Sequence, residues 1–329
     1  MPRPQATDVH QHLWPENFVS ALSRRRSAPC VVREGRDWSL RVPAEPDYRF
    51  SSAIHDPVQR RRTLRGGGLD RALLAMSSPL GIEALPEDES RELLDAWHDG
   101  VFGLDNFGVW GAIPLQGGTA ADVDAVLARG AAGVSIPASA VSSPERLEGL
   151  DDVLRRIELR DAPLFIHPGP DKLVAATGGP ADWWPALTSY VAEMQAAWMT
   201  FAGWGRAAHP SLRICFAMLA GGAPFQVERL AARGGPAKAT SDSRFFYDTS
   251  SYGPKAIATA ASIVGSDQLV HGSDRPVVDG TPSTALGRQA AAAMTRENVA
   301  RLLRPGFHSR GEASRECPGS TNSGNGVRS

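Results

Sequence analysis

Cysteine is scarce in this chain: Cys30, Cys215 and Cys317 are its only three, and they stand far apart. That excludes a disulfide framework and a cysteine-based zinc motif, and it suits a reducing cytoplasm. Long apolar runs are also missing. None approaches the ~20 residues that cross a bilayer, and residues 1–7 hold no apolar signal core. No sign of charge dominates, with 35 Lys and Arg against 36 Asp and Glu. A net charge of −1 gives nucleic acid no basic surface to bind. The short runs Arg24-Arg25-Arg26 and Arg60-Arg61-Arg62 read as solvated helix face or loop. Residues 306–329 are Gly, Ser, Arg and Asn with almost nothing apolar. Such a tail cannot bury a hydrophobic face and is expected to be disordered, which leaves residues 1–305 as the folded domain.

What is present is ordinary globular material, 42% hydrophobic and 22% charged. Short apolar segments alternate with longer helix-like ones. Strands are expected at 7–12, 69–76, 107–115, 131–137, 163–167, 212–218, 244–249 and 268–272. Helices are expected at 86–101, 119–129, 144–160, 183–203, 224–233, 254–264 and 282–303. Residues 14–50, rich in Arg, Pro and Ser, read as an extended loop or small lid. Eight strands alternating with helices predict a closed (β/α)8 TIM-type barrel. The competing doubly wound sheet would need a Gly-rich phosphate turn after its first strand, and His10 and His12 occupy that place instead.

Those two histidines carry the chemistry. Alternate residues of a strand point to one side, so His10 and His12 can converge on one ion. His167 ends the fifth predicted strand and Asp274 follows the eighth. Barrel active sites form at the C-terminal ends of strands. Taken singly, each residue has a plain reading: exposed strand histidines, a rim histidine, a turn aspartate. Taken together at strand ends, three imidazoles and a carboxylate suit one divalent metal ion, zinc first and manganese as the alternative. Such an ion lowers the pKa of bound water towards ~7. Asp274 can bind the ion, accept the water's proton, or do both in turn. Among the other histidines, His55 reads as a surface-loop residue able to approach the site, and His98 as a packed or exposed helix residue. His271 reads as packed against a helix, and His209 as lying at the far end of the barrel.

The chain resembles the amidohydrolase superfamily, in particular the amidohydrolase-related group that includes aminocarboxymuconate-semialdehyde decarboxylase. The resemblance rests on Asp8-Val9-His10-Gln11-His12, Phe165-Ile166-His167-Pro168-Gly169-Pro170, the segment 209–217, Gly221-Gly222-Ala223-Pro224, Phe246-Tyr247-Asp248-Thr249-Ser250 and Gly272-Ser273-Asp274-Arg275-Pro276, and extends to 297–303. It implies a distorted barrel, often dimeric, with a single divalent metal, usually zinc, carried by His10, His12, His167 and Asp274. One departure stands out. The family pattern places a histidine at the end of the sixth strand, and this chain has Met218 there. A thioether transfers no proton at neutral pH and is a soft partner for zinc.

On the substrate side, Trp14 and Met218 are expected to border the pocket. Trp183 and Trp184 divide between pocket and packing, and Trp198 and Trp204 are expected to pack. Arg275 can hold a substrate carboxylate bidentately or pair with a neighbouring acid. Asp248, Ser250 and Tyr252 are further rim candidates. An aromatic or unsaturated cyclic carboxylate would suit tryptophan plus arginine. The expected activity is a metal-dependent hydrolase of the cytoplasm acting on such a small molecule. A non-oxidative decarboxylase is the alternative, and a non-catalytic ligand-binding barrel, suggested by Met218, is the third reading.

Overall fold

The computed structural model describes residues 4–43, 46–169, 183–278, 280, 282, 284 and 286–303, Ala237 by its backbone alone. The 306–329 tail lies outside them. In chain order the strands are β1 (Thr7–Gln11), β2 (Cys30–Glu34), β3 (Asp37–Arg41), β4 (Tyr48–Phe50), β5 (Arg71–Leu74), β6 (Phe107–Ala112), β7 (Gly133–Pro137), β8 (Leu164–His167), β9 (Ile214–Phe216), β10 (Phe245–Asp248) and β11 (Leu269–Val270).

Eight of them form one parallel sheet in the order β1-β5-β6-β7-β8-β9-β10-β11. The ends of that sheet meet. Val9 N–H donates to the His271 carbonyl at 2.8 Å and Asp274 N–H to the His10 carbonyl at 2.8 Å. Gln11 and Arg275 form a parallel bridge. The expected (β/α)8 barrel is therefore observed. Its strands are buried on both faces because helices cover the outside, which is why they read as continuous apolar runs. The interior is packed rather than hollow. Trp110 stacks on Phe165 at 5.1 Å, and Phe165 meets the edge of His10 at 5.1 Å. The Trp110 indole donates to the Val9 carbonyl at 2.8 Å. These rings make the floor on which the histidines stand.

The 14–50 segment is not an extended loop. Helix Glu16–Arg24 buries Phe18, Val19 and Leu22 on one face, the spacing of a helical stripe. β2, β3 and β4 form a separate antiparallel sheet. Its first hairpin turns through Gly35 and Arg36, with Gly35 at φ +63°, the left-handed geometry tight hairpins need. Helix Pro57–Gly66, capped by Asp56, carries the Arg60-Arg61-Arg62 run, one of whose two readings is a helix face. Three long helices are interrupted: 144–160 at Leu150, 183–203 at Thr188 with a π turn over Phe201–Gly205, and 282–303 at Arg296. Trp198 packs as expected, but Trp204 is exposed. No helix among the described residues is long and apolar enough to cross a membrane.

Candidate metal centre

The ends of three barrel strands set the centre. His10 lies in β1 and His12 just beyond it. His167 closes β8, and Asp274 follows β11 in the segment that seals the barrel. The structure brings these four residues together, with one ligand atom from each lying within 4.8 Å of the others. His12 Nε2 is 3.2 Å from His10 Nε2, 3.2 Å from His167 Nε2 and 3.2 Å from Asp274 Oδ1. His10 Nε2 is 3.6 Å from the same carboxylate oxygen. A dication with ligand bonds of about 2.0–2.2 Å in tetrahedral array separates its donor atoms by roughly 3.3–3.6 Å, close to these spacings.

The second nitrogen of each ring decides the tautomer. His10 Nδ1 donates to Asp248 Oδ2 at 2.7 Å, His12 Nδ1 to the Ala75 carbonyl at 2.9 Å, and His167 Nδ1 to the Pro168 carbonyl at 2.7 Å. Carbonyl and carboxylate oxygens only accept, so the ring proton sits on Nδ1 each time. In their neutral forms the three rings then turn Nε2 lone pairs towards one another and towards an Asp274 oxygen. That arrangement repels itself unless a cation sits among them, and it is the usual outer-shell pattern of metal-binding histidines.

Electrostatics agree. Burial lowers His10, but Asp248, then Asp274 and Asp8, outweigh it and lift the imidazole to about 9. A cation at Nε2 takes the place of that proton. Burial, then His10 and His12, hold His167 well below the usual histidine range. Burial raises Asp274, but its bond to His12 and the neighbouring His10 and His167 outweigh this and hold it at about 2, so it is ionised at neutral pH.

Two groups beneath the centre carry signals that sequence reading missed. Asp8, fully buried, accepts from His10 N–H at 3.1 Å, Ser273 N–H at 3.0 Å and the Gln11 amide at 2.7 Å. It thereby ties the Asp274 segment to β1. Arg60 is buried, not solvated as its run suggested. Its guanidinium donates to the His12 carbonyl at 3.1 Å, the Arg275 carbonyl at 3.2 Å and the Gln11 side chain. Asp248 sits beneath His10 instead of on the rim. A carboxylate closing the apolar run Phe245-Phe246-Tyr247-Asp248 was the available clue.

Above the centre lies a cavity of about 360 Å³. His10, His12, His167 and Asp274 form its floor, and Trp14 and Met218 line it as expected. The Trp14 indole donates to Ser77 Oγ at 3.1 Å. Behind it His55 stacks at 4.7 Å and accepts the Trp14 N–H at 3.2 Å. His55 is therefore a buried support, not a surface residue. Burial, then Arg60 and His12, push its pKa down to about 3. Trp183 and Trp184 do not line the cavity; Leu187, Tyr190 and Val191 make that wall. Arg275 is not part of the lining either; its carbonyl accepts from His12 N–H at 2.6 Å and from Arg60 at 3.2 Å at the barrel seam. The small sheet adds Leu40 and Tyr48 as an unexpected roof. His98, His209 and His271 are buried away from the lining.

Strain gathers at the same rim. Met218, Leu219 and Ala220 have φ of +52°, +49° and +54°, and Ser251 and Asp274 have +63° and +60°. Left-handed backbone costs an L-residue roughly 1–2 kcal/mol, and such strain persists where the surroundings over-determine it. The expected sixth strand ends early for this reason: the chain turns left-handed from Met218 onwards.

A family profile described as Amidohydrolase matches residues 7–304. Among solved structures, 5-carboxyvanillate decarboxylase from Sphingomonas paucimobilis superposes with a TM-score of 0.69 at 18% identity, covering 92% of this chain and 99% of that one. The 2,6-dihydroxybenzoate decarboxylase from Rhizobium gives 0.62 at 14% identity, covering 92% and 99%. A 5-carboxyvanillate decarboxylase from Novosphingobium aromaticivorans, in complex with manganese and 4-hydroxy-3-methoxy-5-nitrobenzoic acid, gives 0.66 at 17% identity, covering 92% and 95%. These likenesses establish the shared fold. A search of curated proteins found no significant match.

Proposed function

The chain belongs to the amidohydrolase family, and from that premise we propose that it is a metal-dependent carboxy-lyase acting on a small aromatic hydroxy acid. The observation that carries this reading is the convergence of three Nε2 lone pairs and the Asp274 carboxylate at the floor of a cavity whose walls are otherwise mostly apolar. His10, His12, His167 and Asp274 would hold the ion, zinc or manganese. When bound, it supplies Lewis acidity and positive charge to orient a substrate carboxylate or adjacent oxygen.

The chain's own residues do the rest. Trp14, Leu80 and Val191 are among the apolar residues that exclude water from the ring. A dry wall favours turning a charged carboxylate into neutral CO2. Asp274, ionised when substrate arrives, accepts the proton of a ring hydroxyl and returns it to the carbon that bore the carboxylate. The carbon–carbon bond breaks, its electron pair stays on the ring, CO2 leaves, and solvent restores the hydroxyl proton. The structures superposed above include decarboxylases of hydroxybenzoates, which supports this substrate class.

Hydrolysis is the second reading. The ionised Asp274 beside the cluster equally suits acceptance of a proton from water. The test is to load the protein with zinc or manganese and incubate it with hydroxybenzoic acids. CO2 and the decarboxylated arene are then measured, with a panel of esters, lactones and amides run beside them. CO2 release that disappears in Asp274→Asn supports the proposal. Hydrolysis of the second panel without CO2 from the first replaces it with the second reading.

A further inference from the structure

Asp274 divides its two oxygens. Oδ1 faces the imidazoles, 3.2 Å from His12 Nε2 and 3.6 Å from His10 Nε2. Oδ2 points the other way, 3.4 Å from the Ser251 hydroxyl. Both residues line the cavity, Ser251 after β10 and Asp274 after β11. Both hold left-handed backbone, at φ +63° and +60°. Two neighbouring non-glycine residues kept in that conformation at the mouth of a site indicate that the position of their side chains matters.

We propose that Ser251 is a positioning residue for Asp274: its hydroxyl donates to Oδ2 and leaves Oδ1 as the one carboxylate atom turned to the three imidazoles. The inference rests on the metal-centre reading above. A carboxylate with both oxygens free can present both to one cation. A hydroxyl on the outer oxygen disfavours this and keeps the cavity side of the cluster clear for substrate. The adjacent Ser250 lies on the other side of His10, where its oxygen accepts from His10 Nδ1–H at 3.2 Å and Met218 N–H at 3.3 Å. Met218, on the next strand end, offers only a weak thioether acceptor and no donor. At 3.4 Å the Ser251–Asp274 contact is long for a hydroxyl bond, so it acts on the orientation of the carboxylate more than on the stability of the fold.

Cobalt(II) provides the probe, because its visible absorption depends on how many ligand atoms surround it. Wild type, Ser251→Gly and Ser251→Asn are titrated with Co2+. Glycine removes the hydroxyl and is at ease at positive φ. Asparagine also tolerates that conformation and keeps a donor. The expected result is Co2+ binding about tenfold weaker in Ser251→Gly, in the range of lost outer-shell partners, with a weaker absorption per bound ion. The melting temperature of the metal-free glycine variant holds or rises. Ser251→Asn regains affinity to within about threefold of wild type. A glycine variant matching wild type in affinity and spectrum overturns the proposal. So does a loss that asparagine leaves uncorrected, or one accompanied by a falling melting temperature of the metal-free protein. If wild type itself takes up no Co2+, the metal-centre reading fails, and this inference with it.

Discussion

His10 donates its Nδ1 proton to Asp248 Oδ2 at 2.7 Å, and neither side chain reaches solvent. This bond fixes which ring nitrogen is free, so the partner's charge matters as much as its shape. Asp248→Asn keeps the volume and removes the charge. It is expected to weaken zinc or manganese binding by about 10–100-fold, the usual cost of losing an outer-shell partner. Dialysis against a metal buffer, with the bound ion counted per chain, measures it. Equal occupancy in both proteins would mean that the pair is only packing.

Metal removal tests the lone-pair argument directly. An ion that binds the native cluster and not the unfolded chain stabilises by about 2.7 kcal/mol at a free concentration 100 times its Kd. For a chain of this size that is several degrees of melting temperature. Chelator is therefore expected to lower the melting temperature, and zinc to restore it. In His12→Ala both treatments should leave it unchanged. A wild type indifferent to chelator and zinc alike would leave the convergence of His10, His12 and His167 without a cation to explain it.

Met218 stands where a proton-transferring imidazole is expected by family resemblance. Histidine tolerates positive φ better than most side chains, so Met218→His is a fair substitution at φ +52°. One ion per chain should still bind. Turnover is expected to rise at least tenfold, because a placed general acid or base is worth about 10²–10⁴. A variant with full metal content and no gain in rate would show that Asp274 already carries the proton transfer alone.

The barrel was readable because parallel strands covered on both sides leave continuous apolar runs, and because His10, His12, His167 and Asp274 each punctuate a strand end. Residues 14–50 were not. Their small sheet depends on antiparallel partners and on a tight turn at Gly35, and polar outer faces mask the alternation. The burial of Arg60 is not legible, because a charged run looks the same whether its first member is solvated or clamped to the His12 and Arg275 carbonyls. Asp248 lies one layer deeper than the rim. A strand end can aim a side chain into the cavity or beneath it, and only the register of β10 against β11 settles which. Trp183 and Trp184 carry no periodic cue to distinguish cavity wall from outer surface.

The last prediction concerns acid stability and a histidine away from the cavity. His98 is buried in helix Glu87–Val101, and its Nε2 accepts the Ala112 N–H at 3.3 Å. Burial first, then the Arg129 charge against a smaller opposing effect of Asp99, lowers its pKa from 6.5 to about 3. Below pH 6.5 the unfolded chain takes up a proton here that the folded chain refuses until about pH 3. Unfolding thus consumes a proton across this window, and stability falls as pH drops through it; above 6.5 the contribution is complete. At pH 5 the deficit from this one group is about 2 kcal/mol, roughly 1.5 pH units at 1.36 kcal/mol each. His98→Gln keeps an acceptor near Nε2 and does not titrate. Urea denaturation at pH 7 and pH 5 should show wild type losing about 2 kcal/mol more than the variant between the two. His55, also held near 3, is common to both proteins and cancels in the comparison. Parallel losses would mean that His98 accepts its proton without unfolding, and that the Ala112 N–H can find another partner.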